Sequence, residues 1–327
     1  MNDISIPSQA DVGEIDRATY LGSSDIAAIL GLSPWKSPVD CWFEKMGQPK
    51  PIDADKERLF KRGKRLEPVV LDMLEEERGI EICARGARYR DPEYPWMAAE
   101  IDAEAIDVDS GERINIEVKT VHPFAAASFG EEGTDEIPIA YAAQATYGQM
   151  VTGRRRTLFA VLVGADNLSV YWLDRDEDTI RGIRQKAIEF WFNHVIARVA
   201  PEPIVLDDVY RLMRRDVDIV AEASPDIVEL IGQFNRAKQM AASYTEQADE
   251  LKFQVGKWLL GEDAMTMPTK KPKHVIACAG EPLLTVAYQE QNRIDSAQLR
   301  KAHPEIAVEC SKTSKFFRFD SPRKGRK

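Results

Sequence analysis

The sequence predicts an α+β protein, with a mixed α/β core followed by a smaller C-terminal module of one long helix and short strands. Helical periodicity and period-two alternation follow one another irregularly along residues 1–200, which is typical of a mixed sheet flanked by helices. The run Ala200-Pro201-Glu202-Pro203 interrupts both patterns, and proline-rich breaks of this kind commonly separate domains. We therefore predict a first domain over residues 1–203 and a second over residues 204–327.

Three helices are predicted near the start of the chain. Residues 21–25 have the composition of a cap for a short helix, and Ser37 caps a second helix that ends at Gly47. A longer helical pattern covers residues 55–79, with a basic cluster at its start and an apolar stripe behind it. Pro68 lies inside this pattern and predicts a kink or a restart.

The period then changes to two, which predicts antiparallel strands before two further helices. Charged and apolar residues alternate around a turn at residues 109–112. Strands are predicted at 80–83, 94–101, 103–108, 113–119, 157–163 and 168–173, and helices at 138–152 and 176–199.

The C-terminal module is predicted to contain an unbroken helix over residues 225–260. Apolar or small residues recur there in steps of three and four, as in the seam of a coiled coil. Such a helix would be about 54 Å long. Short strands are predicted at 274–290 and 306–319, and the segment after Ser311 has seven basic residues and one acid. The apolar seam of this helix is compatible with packing within the domain and with packing between chains. The basic tail is compatible with a role in an oligomer, in DNA binding or in binding a protein partner.

Composition excludes several classes of protein. The 327 residues are 44% apolar and 30% charged, as in a globular chain, and no uncharged run approaches the ~20 residues that span a bilayer. The N-terminus has neither a basic region nor an apolar region typical of a signal peptide. The four cysteines and four histidines are scattered, which argues against a disulfide framework, an iron–sulfur cluster and a histidine-ligated zinc site.

Net charge alone disfavours nucleic acid as a partner, because phosphate neutralisation dominates duplex binding. The formal charge is -10 at pH 7. The basic residues are nevertheless grouped, in 61–65, in 154–156 and in the tail. A basic groove on an acidic body is compatible with a negative total, so the sequence predicts segregated charge rather than exclusion of DNA.

The sequence Glu117-Val118-Lys119 is the strongest chemical signal. Alternation along a strand places Glu117 and Lys119 on one face, about 6–7 Å apart. The other face of the same strand is apolar. Asp102 precedes them across the predicted hairpin turn and is expected to approach the same face. Two carboxylates and an ammonium suit a hard divalent cation and a positioned water. By themselves Glu67 and Gln144 are ordinary helix positions.

Five segments carry a family resemblance, and they occur in the family's order and spacing. They are GSSDIAAILGLSPW (22–35), RGKRLEPVVLDMLEEERG (62–79), YPWMAAEIDA (94–103), INIEVKT (114–120) and IPIAYAAQATYGQMVTG (137–153). Residues 17–200 resemble the lambda exonuclease and YqaJ-like viral recombinase family, phage-type nucleases of the PD-(D/E)xK superfamily. The resemblance implies a restriction-endonuclease-like core. It also implies a DNA exonuclease that degrades one strand of linear duplex in the 5′→3′ direction and leaves a 3′ overhang for recombination.

The resemblance also implies a metal site and its ligands. Asp102, Glu117 and the main-chain carbonyl of Val118 would bind Mg²⁺, with Mn²⁺ as a substitute. Glu67 would serve a second ion or its water shell. Lys119 would position or deprotonate the attacking water. The sequence departs from the family's usual Asn-Pro-Asp-Gly, since it has Glu100-Ile101-Asp102-Ala103, which leaves open whether Glu100 also binds metal.

Further residues are implied to contact DNA or the reacting phosphate. Gln144 would fix the lysine or the scissile phosphate. Arg17 and Ser24 correspond to residues that bind the 5′-terminal phosphate, a role that suits an arginine fork beside a helix N-terminus. The predicted DNA-binding set also includes three residues of the basic cluster, Lys61, Arg62 and Arg65.

The implied partners are double-stranded DNA ends and a single-strand annealing protein, with a homo-oligomer, a trimeric ring, as the working form and no membrane. A bacterial cytoplasmic location, with a phage, prophage or plasmid gene, is expected. Two alternatives stay open on the residues. One is an endonuclease on the same core, and the other is a non-catalytic DNA-end-binding protein, which the complete acid–acid–lysine set disfavours.

Overall fold

The computed structural model describes residues 16–107, 110–213, 221–260, 273–287 and 293–311, together with residues 289, 291 and 319. The chain divides into two compact units, residues 1–214 and 215–327. The boundary between the two units lies about ten residues after the proline-rich break at 200–203. It does so because the short helix that comes after the break packs on the first unit. There Arg211 pairs with Asp40 at 2.6 Å, and Ser37 Oγ donates to Asp208.

The first unit alternates helices and strands in the irregular order that the sequence predicts. Its elements are β1 (Leu21–Gly22), α1 (Ser23–Ile29), α2 (Pro38–Lys45), α3 (Ala54–Arg78), β2 (Ile82–Arg90), β3 (Met97–Ile106), β4 (Arg113–Val121), α4 (Ile139–Thr152), β5 (Arg156–Val163), β6 (Asn167–Asp174), α5 (Glu177–Phe190) and α6 (Leu206–Leu212). A π-helical stretch, Trp191–Ile196, continues α5, so the predicted helix at 176–199 is not one regular element.

Two local predictions need correction. The strands predicted at 94–101 and 103–108 form one strand, β3, because Asp102 continues the extended backbone between them. Helix α3 runs through Pro68 without a restart. A proline removes one main-chain donor, and the apolar contacts of Val70, Leu71 and Leu74 hold the following turns against the sheet.

The sheet is mixed, as predicted. Its order is β1-β3-β4-β5-β6, and β2 pairs with the other edge of β3. Strands β1 and β3 are parallel, as are β4 and β5, and the remaining pairs are antiparallel. Strand β3 pairs with β1 at Met97 and Ala98, and with β4 from Ala103 to Ile106. The edge of β3 between these two pairings is where Asp102 lies.

Helices cover both faces of the sheet. Leu71 and Leu74 of α3 pack on alternate residues of β3, β4 and β5. A second apolar cluster joins α1, α4 and α5 to the first half of β3. A third lies between α4 and strands β5 and β6 and includes Phe159 and Tyr171. This arrangement confirms a central mixed sheet flanked by helices, and it brings α4 next to the centre of β4.

The second unit contains α7 (Pro225–Leu260), the hairpin of β7 (Lys273–Cys278) and β8 (Glu281–Ala287), and the short helices α8 (Ser296–Ala302) and α9 (Pro304–Glu309). Helix α7 has the predicted bounds, and none of its residues, all of which are described, is buried. The strand predicted at 306–319 is wrong at its start, because Pro304 occupies the first turn of α9. Its remainder, 312–318, and most of the basic tail lie outside the described residues.

Candidate active site

Asp102 and Glu117 meet where strands β3 and β4 stop pairing. The register of the two strands ends at Ala103 and Ile116. One residue beyond Glu117, the N–H of Val118 donates to Oδ2 of Asp102 at 2.9 Å. At this point the Asp102 carboxylate, rather than a main-chain carbonyl of β3, accepts the hydrogen bond from the β4 backbone. The predicted approach of Asp102 to the Glu117 strand is borne out by this contact.

Glu117, Lys119 and Gln144 form a closed hydrogen-bonded group. Lys119 Nζ donates to Glu117 Oε2 at 3.0 Å, and Gln144 Nε2 donates to the same oxygen at 2.9 Å. Lys119 Nζ also lies 3.5 Å from Gln144 Oε1. The two strand residues share a face because of the period of two, and Gln144 reaches them from α4. Tyr141, one turn earlier on α4, places its ring centre 5.2 Å from Lys119 Nζ.

Burial and neighbouring charge set the protonation of this group. Only 2% of Glu117 is exposed. Burial, supported by the carboxylates of Asp102 and Glu67, raises the pKa of Glu117 to about 7, although Lys119 acts to lower it. For Lys119 burial acts to lower the pKa, but Glu117 and Asp102 outweigh it and raise the pKa above its ordinary value. The two carboxylates therefore favour the charged form of Lys119.

Glu67 lies within electrostatic range of Glu117 but bonds within its own helix. Both of its carboxylate oxygens accept from Lys64 Nζ at 3.1 Å. The parts of the chain that the structure describes contain no group of three or more His, Cys, Asp or Glu side chains arranged to hold a metal ion. Asp102 and Glu117 are thus two converging carboxylates, and the roles of Glu67 and of the Val118 carbonyl stay predictions.

Arg17 and Ser24, predicted together from the resemblance, are in contact. Arg17 Nη2 donates to Ser24 Oγ at 3.0 Å and pairs with Asp25 Oδ1 at 3.2 Å. Arg17 Nη1 donates to the hydroxyl of Tyr20 at 3.2 Å. Ser24 belongs to the first turn of α1, where main-chain N–H groups face outward. A guanidinium and a hydroxyl therefore lie together at the start of a helix.

Asp25, which the sequence analysis includes only in a helix cap, organises this group. Its side chain is fully buried and contacts Lys36 Nζ at 2.8 Å and Lys45 Nζ at 2.7 Å, besides Arg17. Burial acts to raise the pKa of Asp25, but these three cations lower it far below its usual range. The lysines follow Asp25 by 11 and 20 residues, a spacing that joins them only through tertiary packing.

Glu100 belongs to the Arg17 group rather than to the carboxylate pair. Its Oε1 accepts from the Tyr20 hydroxyl at 3.2 Å and pairs with Arg88 at 2.8 Å. The Arg88 guanidinium also lies over the Tyr20 ring at 4.7 Å. Glu100 precedes Asp102 by two residues, so strand β3 carries one residue of each group.

The basic clusters differ in how far their charges are neutralised. Lys61 pairs with Glu57 on the surface of α3 at 2.6 Å, and Arg62 and Arg65 are exposed on the same helix. Arg154 and Arg156 instead pair with Glu104 at 3.0 Å and with Asp174 at 2.7 Å. The cluster at 154–156 is therefore largely structural, whereas the α3 cluster remains a predicted DNA contact.

Within the described ranges, no helix combines the length and the apolar character needed to cross a membrane.

The chain is similar to several known proteins. The Bacillus subtilis (strain 168) protein YqaJ, which is uncharacterized, is 28% identical over 316 residues, 93% of this chain and 92% of that protein. An alkaline exonuclease, LHK-Exo from Laribacter hongkongensis, matches with 17% identity and a TM-score of 0.44 over 56% of this chain and 91% of its own. A phage-related exonuclease from Haemophilus somnus 129PT matches with 13% identity and a TM-score of 0.42 over 55% of this chain and 96% of its own.

A family model, that of the YqaJ-like viral recombinase domain, matches residues 15–155. That range contains Arg17 and Ser24, both carboxylates of the β3–β4 pair, Lys119 and Gln144. Residues 15–155 are therefore similar to the YqaJ-like viral recombinase domain.

Proposed function

We propose that this protein is a metal-dependent deoxyribonuclease that degrades one strand of linear duplex DNA in the 5′→3′ direction and leaves a 3′ single-stranded overhang. The observation that carries the proposal is the group of Glu117, Lys119 and Gln144 beside Asp102. Phosphodiester hydrolysis requires charge neutralisation at the phosphate and a positioned water. Paired carboxylates with an adjacent ammonium can meet both requirements.

The donor set fits Mg²⁺. This ion is commonly held by one or two protein carboxylates, completed by water and substrate phosphate oxygens, so a site without three protein acids is compatible with it. Burial and, after it, the neighbouring carboxylates raise the pKa of Glu117, and a bound cation would stabilise its ionised form. We assign Asp102, Glu117 and the Val118 carbonyl to one ion, and Glu67 to a second ion or its waters. Mn²⁺ is expected to substitute.

Each side chain then has a distinct task. When bound, the metal neutralises charge on the scissile phosphate and lowers the pKa of water. Lys119 has three N–H donors, of which Glu117 and Gln144 engage two, and the third is available to orient the attacking water. Gln144 fixes the Glu117 carboxylate and thereby the lysine. In-line attack on phosphorus expels the 3′ oxygen of the neighbouring nucleotide.

The Arg17 group accounts for the preference for ends. Arg17 and Ser24 supply a planar cation and a hydroxyl at the first turn of α1, and both suit a terminal phosphate. Glu100, which bonds to Tyr20 of this cluster, lies two residues before Asp102 on β3, and this proximity in sequence supports a 5′-phosphate site near the carboxylates. We propose that this cluster binds the 5′-terminal phosphate and that the exposed cluster of Lys61, Arg62 and Arg65 contacts the duplex.

The test is a time course on linear duplex DNA labelled at either the 5′ or the 3′ end, with Mg²⁺ or with EDTA. We expect early release of the 5′ label as mononucleotide, persistence of the 3′ label on shortening strands, and no release in EDTA. Glu117→Gln should be inactive although folded, and Glu112→Gln, an exposed glutamate near the β4 start, should be fully active.

A covalently closed duplex separates the alternatives. An exonuclease leaves it intact, whereas cutting of this substrate would show an endonuclease. Binding of DNA ends by the native protein with no hydrolysis under Mg²⁺ or Mn²⁺ would show a non-catalytic end-binding protein and would contradict the proposal. Release from the 3′ end would contradict the polarity alone.

We further propose that the protein acts as a homo-oligomer, a trimeric ring, and hands its overhang to a single-strand annealing protein. The match of residues 15–155 to a viral recombinase domain model supports this assignment. Light scattering of the purified chain tests the oligomer, and a molecular mass equal to one chain of 36.9 kDa would contradict it.

A further inference from the structure

The most exposed aromatic contact of the site is Trp35, in the loop between α1 and α2. Two thirds of this residue, 66%, is exposed. Its indole stacks on the Tyr141 ring, with ring centres 6.0 Å apart and planes 24° from parallel. Tyr141 in turn lies against Lys119 Nζ. Trp35 is thus separated from the proposed water-positioning ammonium by a single aromatic ring.

The loop that carries Trp35 is held at both ends. The N–H groups of Leu32 and Ser33 both donate to the carbonyl of Ala27, at 2.8 and 3.0 Å, which ties the loop to α1. On the other side of the tryptophan, Lys36 Nζ bonds to Asp25 and Glu44. The indole is therefore presented by a fixed backbone, although most of its own surface has no protein covering.

Trp35 also lies next in sequence to the phosphate-binding group. Lys36 shares Asp25 with Arg17, which bonds to Ser24. One short loop thereby joins the proposed 5′-phosphate site to the aromatic contact beside Lys119. A strand whose terminal phosphate contacts Arg17 and whose scissile phosphate faces Lys119 would run near this loop, because the loop contacts both groups. Its bases are the flat, apolar groups that an open indole face accepts.

We propose that Trp35 is a stacking platform for an unpaired nucleobase of the strand being degraded, close to its 5′ end. This inference rests on the proposed function and deepens it, because it names the residue that separates the end nucleotides from their complement. Stacking of a base on an aromatic ring does not depend on base identity, so the platform serves digestion of any sequence. The Tyr141 ring beneath the indole couples the stacked base to the position of Lys119.

The experiment measures stacking without hydrolysis. A short 5′-phosphorylated single strand carries 2-aminopurine, whose fluorescence falls when it stacks, at its first, second or third nucleotide. It is titrated with the full-length protein in Ca²⁺, a divalent cation with the same preference for oxygen ligands. We expect quenching at one of these positions with the native protein. Trp35→Ala should lose the quenching and bind about tenfold more weakly, and Trp35→Phe should retain most of both.

Phe253→Ala is the matched control, since Phe253 is an equally exposed aromatic residue (63%) of the second unit, and it should behave as the native protein does. Native quenching and affinity in Trp35→Ala would overturn the inference. Loss of association with a protein partner in that variant, with DNA binding intact, would instead show a protein-docking residue and would also overturn it.

Failure of the proposed function gives a different pattern. If the native protein quenches 2-aminopurine but does not hydrolyse DNA in Mg²⁺, the stacking platform is supported and the nuclease assignment is contradicted. If it hydrolyses DNA and Trp35→Ala does so at the native rate, the nuclease assignment stands and the platform falls. An absence of any DNA binding by the native protein removes both.

Discussion

Gln144 Nε2 donates to Glu117 Oε2 at 2.9 Å, which joins helix α4 to the buried carboxylate of β4. The same oxygen accepts from Lys119. One carboxylate oxygen thus receives two donors from different elements, so its position is fixed by the packing of α4 on the sheet. In the proposed metal site, Glu117 Oε1 and Asp102 are the groups that would face the cation.

This contact predicts that Gln144 positions the site rather than reacting. Gln144→Ala should lower the rate of nucleotide release by about 10–100-fold, the usual effect of losing a residue that orients a metal ligand. Binding of 5′-phosphorylated duplex in Ca²⁺ should be unchanged. Single-turnover digestion measures the first quantity and fluorescence anisotropy the second.

Gln185→Ala, on the exposed face of α5, is the control and should retain full activity. A rate for Gln144→Ala within twofold of the native rate would refute the positioning role. Equal losses of binding and rate would indicate a structural role instead.

The raised pKa of Glu117 predicts how metal-free stability depends on pH. The carboxyl titrates near 4.5 when unfolded and near 7 when folded. Between these values the folded state binds the extra proton, so the free energy of unfolding falls as pH rises through this interval. The loss should be on the order of 3 kcal/mol.

Thermal unfolding in EDTA from pH 4.5 to 8.5 measures this effect. Glu117→Gln lacks the ionisation, and its melting temperature should exceed that of the native protein by an amount that grows with pH up to about 7. At pH 8, Mg²⁺ should stabilise the native protein and not the variant, because a ligand stabilises only the state that binds it. Parallel pH profiles for the two proteins would rule out this account of Glu117.

The sequence predicts those parts of the site that depend on local periodicity. Alternation along one strand was sufficient to place Glu117 and Lys119 on one face, and the hairpin brought Asp102 to them. Helix α7 followed from its three-and-four spacing. The role of Gln144 came only from the family resemblance, because a polar helix residue carries no sign of the strand it will meet.

The rest depends on packing that no local pattern records. Asp25, Lys36 and Lys45 are far apart in the sequence and meet because α1 and α2 pack together. Glu100 lies only two residues before Asp102 on β3, yet its carboxylate bonds to Tyr20 and Arg88 and so belongs to the Arg17 group. The strand predicted from residue 306 is wrong over residues 306–309 because Pro304 begins a helix there.

Arg17 predicts selectivity for the chemical state of the DNA end. Arg17→Ala should lower kcat/KM on 5′-phosphorylated duplex by about 10–100-fold, because a hydrogen bond to a charged group contributes about 1.5–3 kcal/mol. Digestion of 5′-hydroxyl ends should change by less than about threefold. Initial rates on the two substrates give the ratio directly.

Arg181→Ala removes an exposed arginine of α5 that pairs only with Asp178 of its own helix among the contacts described, and it should leave the ratio unchanged. Equal losses on phosphorylated and hydroxyl ends would exclude a phosphate-specific role for Arg17.

Asp25 predicts a large effect on stability. Its carboxylate is the shared partner of Arg17, Lys36 and the fully buried Lys45. Asp25→Asn leaves the Lys45 ammonium buried without a countercharge, and breaking a buried pair in this way costs about 3–5 kcal/mol. Urea denaturation measures the loss. Asp55→Asn removes an exposed i,i+3 pair with Arg58 and should cost less than about 0.5 kcal/mol.

A second variant separates the charge effect from a packing defect. Asp25→Asn combined with Lys45→Met removes both buried charges, so it should be more stable than Asp25→Asn alone. Because Arg17 loses its anchor in either protein, both should also lose the preference for 5′-phosphorylated ends. If Asp25→Asn alone cost less than about 1 kcal/mol and kept that preference, Asp25 would not be the residue that holds the phosphate-binding cluster together.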